Sequence, residues 1–447
     1  MPTVLLRPAR EEGRYVLLPR ARARVLGLKA GDRVVLQCGR SVLDGVQVVV
    51  SDRLPHRTAL ISWELLRELP LPAPIRLRMQ RTEDGALRIG PIVTVLARST
   101  RSRSQKFMNQ TPYFAALVRT GRRLGVPTFV LTPHGVDWER RRAVAWRVGP
   151  AGWSRVPIPL PDVVYDRVQT RRLDLLPHTR QVKQRLTEQE GVKMFNTGFL
   201  DKWETHKALS GSDTERLLPE TKLLTSRADI LDFARRYRTV YVKPAGGSLG
   251  KGIYVIQRSA RGRYRVIHYG STRVRHLRNL RSPAIVWRRL QRKRRKRRYV
   301  VQQGIAFARY RGRRFDLRLL MQKSGDGEWT VSAAYARVAP PGSLRANLDA
   351  GGKAVRCTRV LGHIFGRRGR RVLQRVLETG LAVARAIEAG APGPMGELGI
   401  DIGVDRTGRP WVIEANSKPL RQMEGPKKRL RRTLRRPLLF AARLAGF

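Results

Sequence analysis

The pattern of apolar and polar positions changes character twice along the chain, and each change marks a different kind of structure. Residues 1 to about 88 alternate short apolar runs with Gly and Asp turns, as in VLGLKAGDRVVLQCG and DGVQVVVS. That texture predicts short strands joined by turns, with a helical period only near ISWELLREL. A small β-barrel is the expected unit over residues 1–88. At about residue 89 the runs lengthen: GPIVTVLA is continuously apolar, TPYFAALVRTGRRLG has a helical period ending at Gly125, and PTFVL is the next apolar run. This β-α-β order predicts a parallel sheet with a crossover helix, and RRAVAWRV and PDVVYDRV extend it over residues 89–190.

From residue 191 the pattern becomes α+β. FLDKWETHKALSG predicts a helix capped by Asp201 and ending near Gly211, and SRADILDFARRY a second, capped by Ser226. TVYVKP and IYVIQ are strands on either side of AGGSLGKG. YVVQQGI, FDLRLLMQ and WTVSAAYARV are further strands, and VLQRVLETGLAVARAIEAG is a long amphipathic helix. ELGIDIGVD and PWVIEANSKP form a strand pair around the turn Arg406-Thr407-Gly408-Arg409. This third unit is expected over residues 191–425, followed by a basic tail at 426–447.

Of the 447 residues, 41% are hydrophobic, enough for real cores and against wholesale disorder. Lys and Arg number 91 against 34 Asp and Glu, a formal charge of +57, and 75 of the 91 are Arg, spread through every segment. Two dense runs stand out, Arg288 to Arg298 and Lys427 to Arg436. Each reads either as a solvated helix face or tail, or as a site for a polyanion. Aromatics are not interleaved with them, so nucleic acid is expected to bind only non-specifically. Cys38 and Cys357 cannot form a disulfide framework, and no CxxC or Cys/His cluster points to zinc. MPTVLLRPAREEGR lacks the apolar core of a signal peptide, and no stretch approaches the ~18–20 apolar residues of a spanning helix. A cytoplasmic protein without a transmembrane segment is expected.

Two features carry candidate chemistry. In YVKPAGGSLGKGIYVI, Lys243 ends a strand, a loop of small residues follows, and a second strand succeeds it. The order strand–loop–strand is neither a Walker loop nor a Rossmann turn, both of which open a helix. Side chains this small let backbone N–H groups approach phosphate oxygens, with Lys243 as a point charge on the same group. The competing reading is an ordinary glycine hairpin. The second feature is the C-terminal strand pair. Asp401 and Glu414 are 13 residues apart, and Glu414 and Asn416 share one strand face. Three oxygen donors on one patch suit Mg²⁺; the competitor is a salt-bridged hairpin among many arginines.

The order of these features is itself a signal: a helix lysine (Lys202 or Lys207), a strand lysine with its glycine loop, VQQGI, FDLR, ARV…RANLDAGG, and last Asp…Glu-x-Asn. Over about residues 191–420 this order resembles the ATP-grasp superfamily. Within it, the chain is similar to the YheC/YheD-type spore-coat-associated proteins, a likeness that extends to IGPIVTVLA, PDVVYDRV, FNTGFLDKWETHKAL and YVVQQGIAF. FDLRLL, RANLDAGG and IEAN also resemble the ribosomal-protein glutamate ligases. The resemblance implies an α+β ATP-grasp fold preceded by a pre-ATP-grasp α/β unit. It implies that Lys202 and Lys243 hold the α- and β-phosphates of ATP. Gly246, Gly247, Ser248, Gly250 and Gly252 would belong to the loop that closes over the triphosphate. Val301, Gln302 and Gln303 would sit at the hinge where backbone groups read adenine, with Gln where many relatives carry Glu. Asp316 and Arg318 match a D-x-R pair, with Arg318 on phosphate, and Arg337, Arg345 and Asn347 would line the transfer site. Asp401, Glu414 and Asn416 would hold Mg²⁺. D-alanine ligases carry Arg two residues before the first of these acids; Gly399 stands there, which argues against that activity.

The activity implied is an ATP- and Mg²⁺-dependent carboxylate–amine or carboxylate–thiol ligase working through an acylphosphate. The arginines would stabilise the transferring group, and no side-chain nucleophile is required. Its carboxylate and amine substrates are unidentified; the positive charge suits an acidic peptide or polymer, or a spore-coat component. Two alternatives remain. One is an ATP-grasp scaffold serving as a structural, spore-coat-associated or polyanion-binding protein. The other is a phosphotransferase that leaves phosphate on the product. His134 reads as a loop histidine, His206 as packing and Cys357 as inert.

Overall fold

The computed structural model describes residues 3–211, 213–246, 252–270, 274–294, 297–341, 343, 346, 348, 351–421 and 427–447. Strands between Thr3–Pro8 and Leu87–Gly90 close into a seven-stranded barrel. Alternate residues point inward, so Val4, Leu6, Val16, Leu18, Leu36 and Cys38 fill the interior. The one helical period expected inside this region is a short helix, Trp63–Glu68.

The next sheet is built around Val93–Leu96, which pairs in parallel with both Thr128–Leu131 and Val163–Asp166. The crossover helix, Thr111–Leu124, buries Tyr113, Phe114, Leu117 and Val118, and ends at Gly125 with φ +64°. A Cβ at Gly125 would meet Thr3 Cγ2 at 2.4 Å, so glycine serves both the left-handed turn and the approach of the barrel. RRAVAWRV departs from the parallel pattern. Arg142–Gly149 forms an antiparallel hairpin with Gly152–Pro159, because a connection this short cannot cross over. The sheet ends on Lys193–Phe195.

Two antiparallel sheets follow. One has six strands, ordered Thr221–Leu223, Tyr299–Gln303, Thr239–Pro244, Ile253–Arg258, Tyr264–Tyr269 and Val274–Leu280. The other has five: Lys353–Val355, Trp329–Val338, Phe315–Lys323, Glu397–Val404 and Pro410–Asn416. The long helix Gly369–Ala389 packs Val376, Val383 and Ile387 into the core of the five-stranded sheet.

Residues 427–444 were expected as a tail, and the structure corrects this: they form a docked helix that contains Pro437. Its Leu434, Leu438, Phe440 and Ala441 are buried with Phe114 and Tyr165 of the parallel-sheet unit. Arginines outnumber the apolar positions in its first half, which masks the helical period. Among the described residues, no helix is long and apolar enough to cross a membrane.

Candidate active site

The helix Lys202–Leu209 starts at a capping box. Asp201 Oδ1 accepts from the N–H groups of Trp203 and Glu204 at 2.9 and 2.8 Å, and Glu204 Oε2 accepts from the Asp201 N–H at 2.8 Å. This fixes Lys202 in the first turn. The Lys202 N–H donates to the Ala245 carbonyl at 3.1 Å, tying the helix start to the end of the strand that carries Lys243. Two lysines 41 positions apart are thereby neighbours. Lys243 is buried, and its Nζ donates to Gln302 Oε1 at 2.6 Å; Gln302 Nε2 donates in turn to Thr221 Oγ1 at 2.8 Å. Burial, with the Lys202 charge nearby, pushes the Lys243 ammonium down to about 7.

The five-stranded sheet supplies the facing charges. Its register sets Asp316 opposite Arg337, Arg318 opposite Asp401, and Asp401 opposite Glu414. Arg337 Nε lies 2.6 Å from Asp316 Oδ1 and its Nη2 2.8 Å from Asp401 Oδ2, while Arg318 Nε is 2.9 Å from Asp401 Oδ1. Lys202 Nζ is 3.5 Å from Glu414 Oε1. Burial, with Asp401 beside it, pushes the Asp316 carboxyl up despite Arg337. Against the cost of its own burial, Asp401 and Asp316 hold Arg337 charged. A Cβ on Gly399 would come within 2.5 Å of Arg318 Nη1 and 2.7 Å of Pro419 Cβ, so the missing side chain makes room for that guanidinium.

A cavity of about 620 Å³ opens between the two sheets. Lys202, Lys243, Gln302, Gln303, Asp316, Arg318, Arg337, Asp401, Glu414 and Asn416 all line it. Val301 does not. Neighbours along a strand face opposite ways, and the Val301 side chain joins Val240, Val242 and Ile256 in the core behind the sheet. Its strand is also paired on both edges, with Lys222 on one side and Val242 on the other. Gly246 and Gly252 flank the glycine loop. Gly252 has φ +77° and donates to the Tyr269 carbonyl at 2.7 Å. Gly247, Ser248, Gly250, Arg345 and Asn347 lie outside the described residues.

Other cavity-lining residues had weaker signals. Tyr241 sits two residues before Lys243, hence on the same strand face, and Arg314 Nη1 approaches its hydroxyl at 3.4 Å. Lys418 follows the Asn416 strand and is held 2.7 Å from Asp166 and 3.2 Å from Asp174, bringing the end of the parallel sheet to the cavity. Nothing in the local sequence distinguishes Lys418 from the other basic residues. Cys357 is buried, and its thiol is pushed up to about 12 by that burial. His206 stacks on Trp203, and His134 on His178.

The residues present fit a magnesium nucleotide. Arg318 Nη1 is buried without a hydrogen-bond partner, while Asp401 Oδ1, ion-paired with Arg318 Nε, makes no aligned hydrogen bond. An orphaned donor suits a phosphate oxygen, and a carboxylate oxygen with lone pairs to spare suits a cation. Among the described residues no three His, Cys, Asp or Glu side chains cluster, so a metal here would rely on the Asn416 amide beside the two carboxylates, with water completing its shell.

The family described as YheC/D-like ATP-grasp matches residues 191–444. The endospore coat-associated protein YheD of Bacillus subtilis (strain 168) is 30% identical over 375 residues, covering 82% of this chain and 81% of YheD. YheC of the same organism, also named endospore coat-associated, is 23% identical over 317 residues, covering 70% of this chain and 86% of its own. The crystal structure of the D-cycloserine synthetase DcsG is similar with a TM-score of 0.47 at 17% identity, covering 79% of this chain and 99% of that one.

Proposed function

The chain belongs to the YheC/D-like ATP-grasp family, and from that premise we propose that it is an ATP- and Mg²⁺-dependent ligase joining a carboxylate to an amine or thiol through an acylphosphate. The observation that carries this reading is the convergence of two sequence-distant lysines and the Asp401, Glu414 and Asn416 donors on one cavity. Lys202 and Lys243 bind the nucleotide phosphates. The substrate carboxylate attacks the γ-phosphate, ADP departs, and the amine or thiol then displaces phosphate from the acyl carbon. Arg318 and Arg337 stabilise charge on the transferring group and on the acyl oxygen, positioned in advance by Asp401 and Asp316. Asp401, Glu414 and Asn416 would hold Mg²⁺, which would supply charge neutralisation at the phosphates.

The substrate belongs among acidic peptides or spore-coat components, a placement supported by the net charge of +57 and by the names of the YheD and YheC relatives. The protein would then work in the cytoplasm and associate with the spore coat. Mass spectrometry of reactions containing ATP, Mg²⁺ and pooled acids and amines tests the activity. A condensation product with matching ADP release is expected, absent without Mg²⁺ and lost in Glu414→Ala. Nucleotide that stays intact across every pool would overturn it and favour the non-catalytic, polyanion-binding scaffold.

A further inference from the structure

Between Asp232 and Asp316 the chain contains no acidic residue. This stretch of 83 residues holds 26 Lys and Arg, so it carries +26 of the formal +57. The remaining 364 residues carry all 34 acids and the other +31. A general enrichment in arginine raises basic residues everywhere, but it does not strip one segment of every carboxylate. The imbalance is a property of this segment.

The stretch builds most of the six-stranded sheet. One face of that sheet lines the cavity through Tyr241, Lys243, Val255 and Gln257. The other face is covered by the helix Ile285–Arg294, whose Val286 and Leu290 pack on Tyr254, Ile256 and Val266. Of the described basic residues in the stretch, only Arg236 and Arg298 are in salt bridges, with acids outside it. The strand Val274–Leu280 ends the sheet. It pairs with Tyr264–Tyr269, and among the described residues no strand occupies its other edge. Arg275, Arg278 and Arg281 beside that edge are exposed.

Basic residues on an edge strand discourage pairing with a like-charged edge. They also make it receptive to an extended chain of opposite charge. We propose that the free edge of Val274–Leu280 docks an extended, continuously acidic polypeptide segment. The segment adds to the sheet as a seventh strand and sets its carboxylates against Arg275, Arg278 and Arg281. Nucleic acid fits less well. The strand carries no Phe, Tyr or Trp for base stacking, and the one exposed ring, His276, is engaged by Arg265 Nη2 at 3.1 Å. The Val274 end of the strand pairs with Tyr269, a residue of the cavity wall. A chain following this edge therefore delivers one end beside the candidate active site, a consequence that rests on the ligase reading, whereas the docking itself does not.

The test is fluorescence anisotropy with the full chain, without nucleotide, using a labelled all-Glu peptide of about twelve residues as probe. Two triple variants remove the same charge: Arg275→Glu, Arg278→Glu and Arg281→Glu at the edge, and Arg370→Glu, Arg371→Glu and Arg375→Glu on the exposed face of the helix Gly369–Ala389. Thermal melts confirm that both are folded. The edge triple is expected to weaken binding roughly tenfold or more and the helix triple by much less. An all-Glu peptide N-methylated at alternate residues, equal in charge but unable to complete the ladder, is expected to bind roughly tenfold more weakly. Equal losses in the two triples would reduce the effect to overall charge and overturn the site. Undiminished binding of the N-methylated peptide would overturn strand addition. An oligothymidylate of equal charge that binds more tightly, with the same dependence on the edge arginines, would assign the surface to nucleic acid instead. Since binding is read without turnover, an inactive protein that still captures the peptide sinks the ligase reading alone.

Discussion

Lys243 is the residue whose chemistry the structure defines most sharply. Its ammonium is pushed down to about 7 by burial, with Lys202 adding to the effect. Under the proposed function phosphate oxygens meet Lys243 and favour its charged form, so nucleotide binding is expected to raise this pKa. At pH near 8 binding is therefore accompanied by proton uptake, and affinity falls as pH rises above about 7, by up to about tenfold per pH unit. Calorimetric titrations with ADP in buffers of different ionisation enthalpy measure the uptake directly; Lys243→Met is expected to abolish it. Gln302→Glu places a carboxylate where Lys243 now meets a neutral amide. The lysine then stays charged through neutral pH, and the proton uptake near pH 8 shrinks. Lys243 is legible in the sequence because a strand followed by a glycine loop has readable local grammar, whereas a capped helix start does not choose between Lys202 and Lys207, and the family resemblance supplied that choice. Strand alternation sends the Val301 side chain behind the sheet and Gln302 into the cavity, so at Val301 only the backbone is left for the adenine contact that the resemblance implies.

At the level of single elements, the helix cap and the strand register position the charges. Asp201 caps two backbone N–H groups and also receives Arg298 Nη2 at 2.7 Å. Asp201→Ala is expected to cost about 1–2 kcal/mol, seen as a lower urea midpoint. It should also weaken nucleotide binding, because Lys202 loses its fixed start. Gly399→Ala tests the opposite sheet. A methyl group there would press on Arg318 Nη1 and Pro419 Cβ, so the guanidinium must move off Asp401. The expected outcome is a loss in kcat larger than any change in the KM for ATP, read by ADP release. The strand pair with its Asp, Glu and Asn was legible from spacing alone. The two arginines that grip Asp401 required cross-strand register, which a linear pattern does not contain. The hairpin Arg142–Gly149 was misread for a related reason: an apolar run says strand, but only the length of the following turn says which way the next strand runs.

For the molecule as a whole, a buried polar junction joins the sheets. Glu397 is fully buried; its Oε1 is 3.0 Å from Arg167 Nη1, its Oε2 is 2.8 Å from Arg421 Nη1, and it also accepts from Tyr165 and Gln322. Glu397→Ala would strand two buried guanidinium groups and is expected to cost about 3–5 kcal/mol in urea unfolding. The order of the three units was visible in the shifts of hydrophobic pattern, but this junction was not. In a chain with 75 arginines, nothing local singles out Arg167 or Arg421 as buried. The helix at 427–444 was hidden in the same way, and its placement has a temporal corollary. Leu434, Leu438, Phe440 and Ala441 complete a core begun by Val93, Phe114 and Tyr165, more than 260 positions earlier. During synthesis on the ribosome, the parallel sheet must wait with one greasy flank uncovered while both antiparallel sheets are translated. Nascent chains arrested before codon 430 should therefore recruit chaperones, and release should coincide with emergence of that final helix.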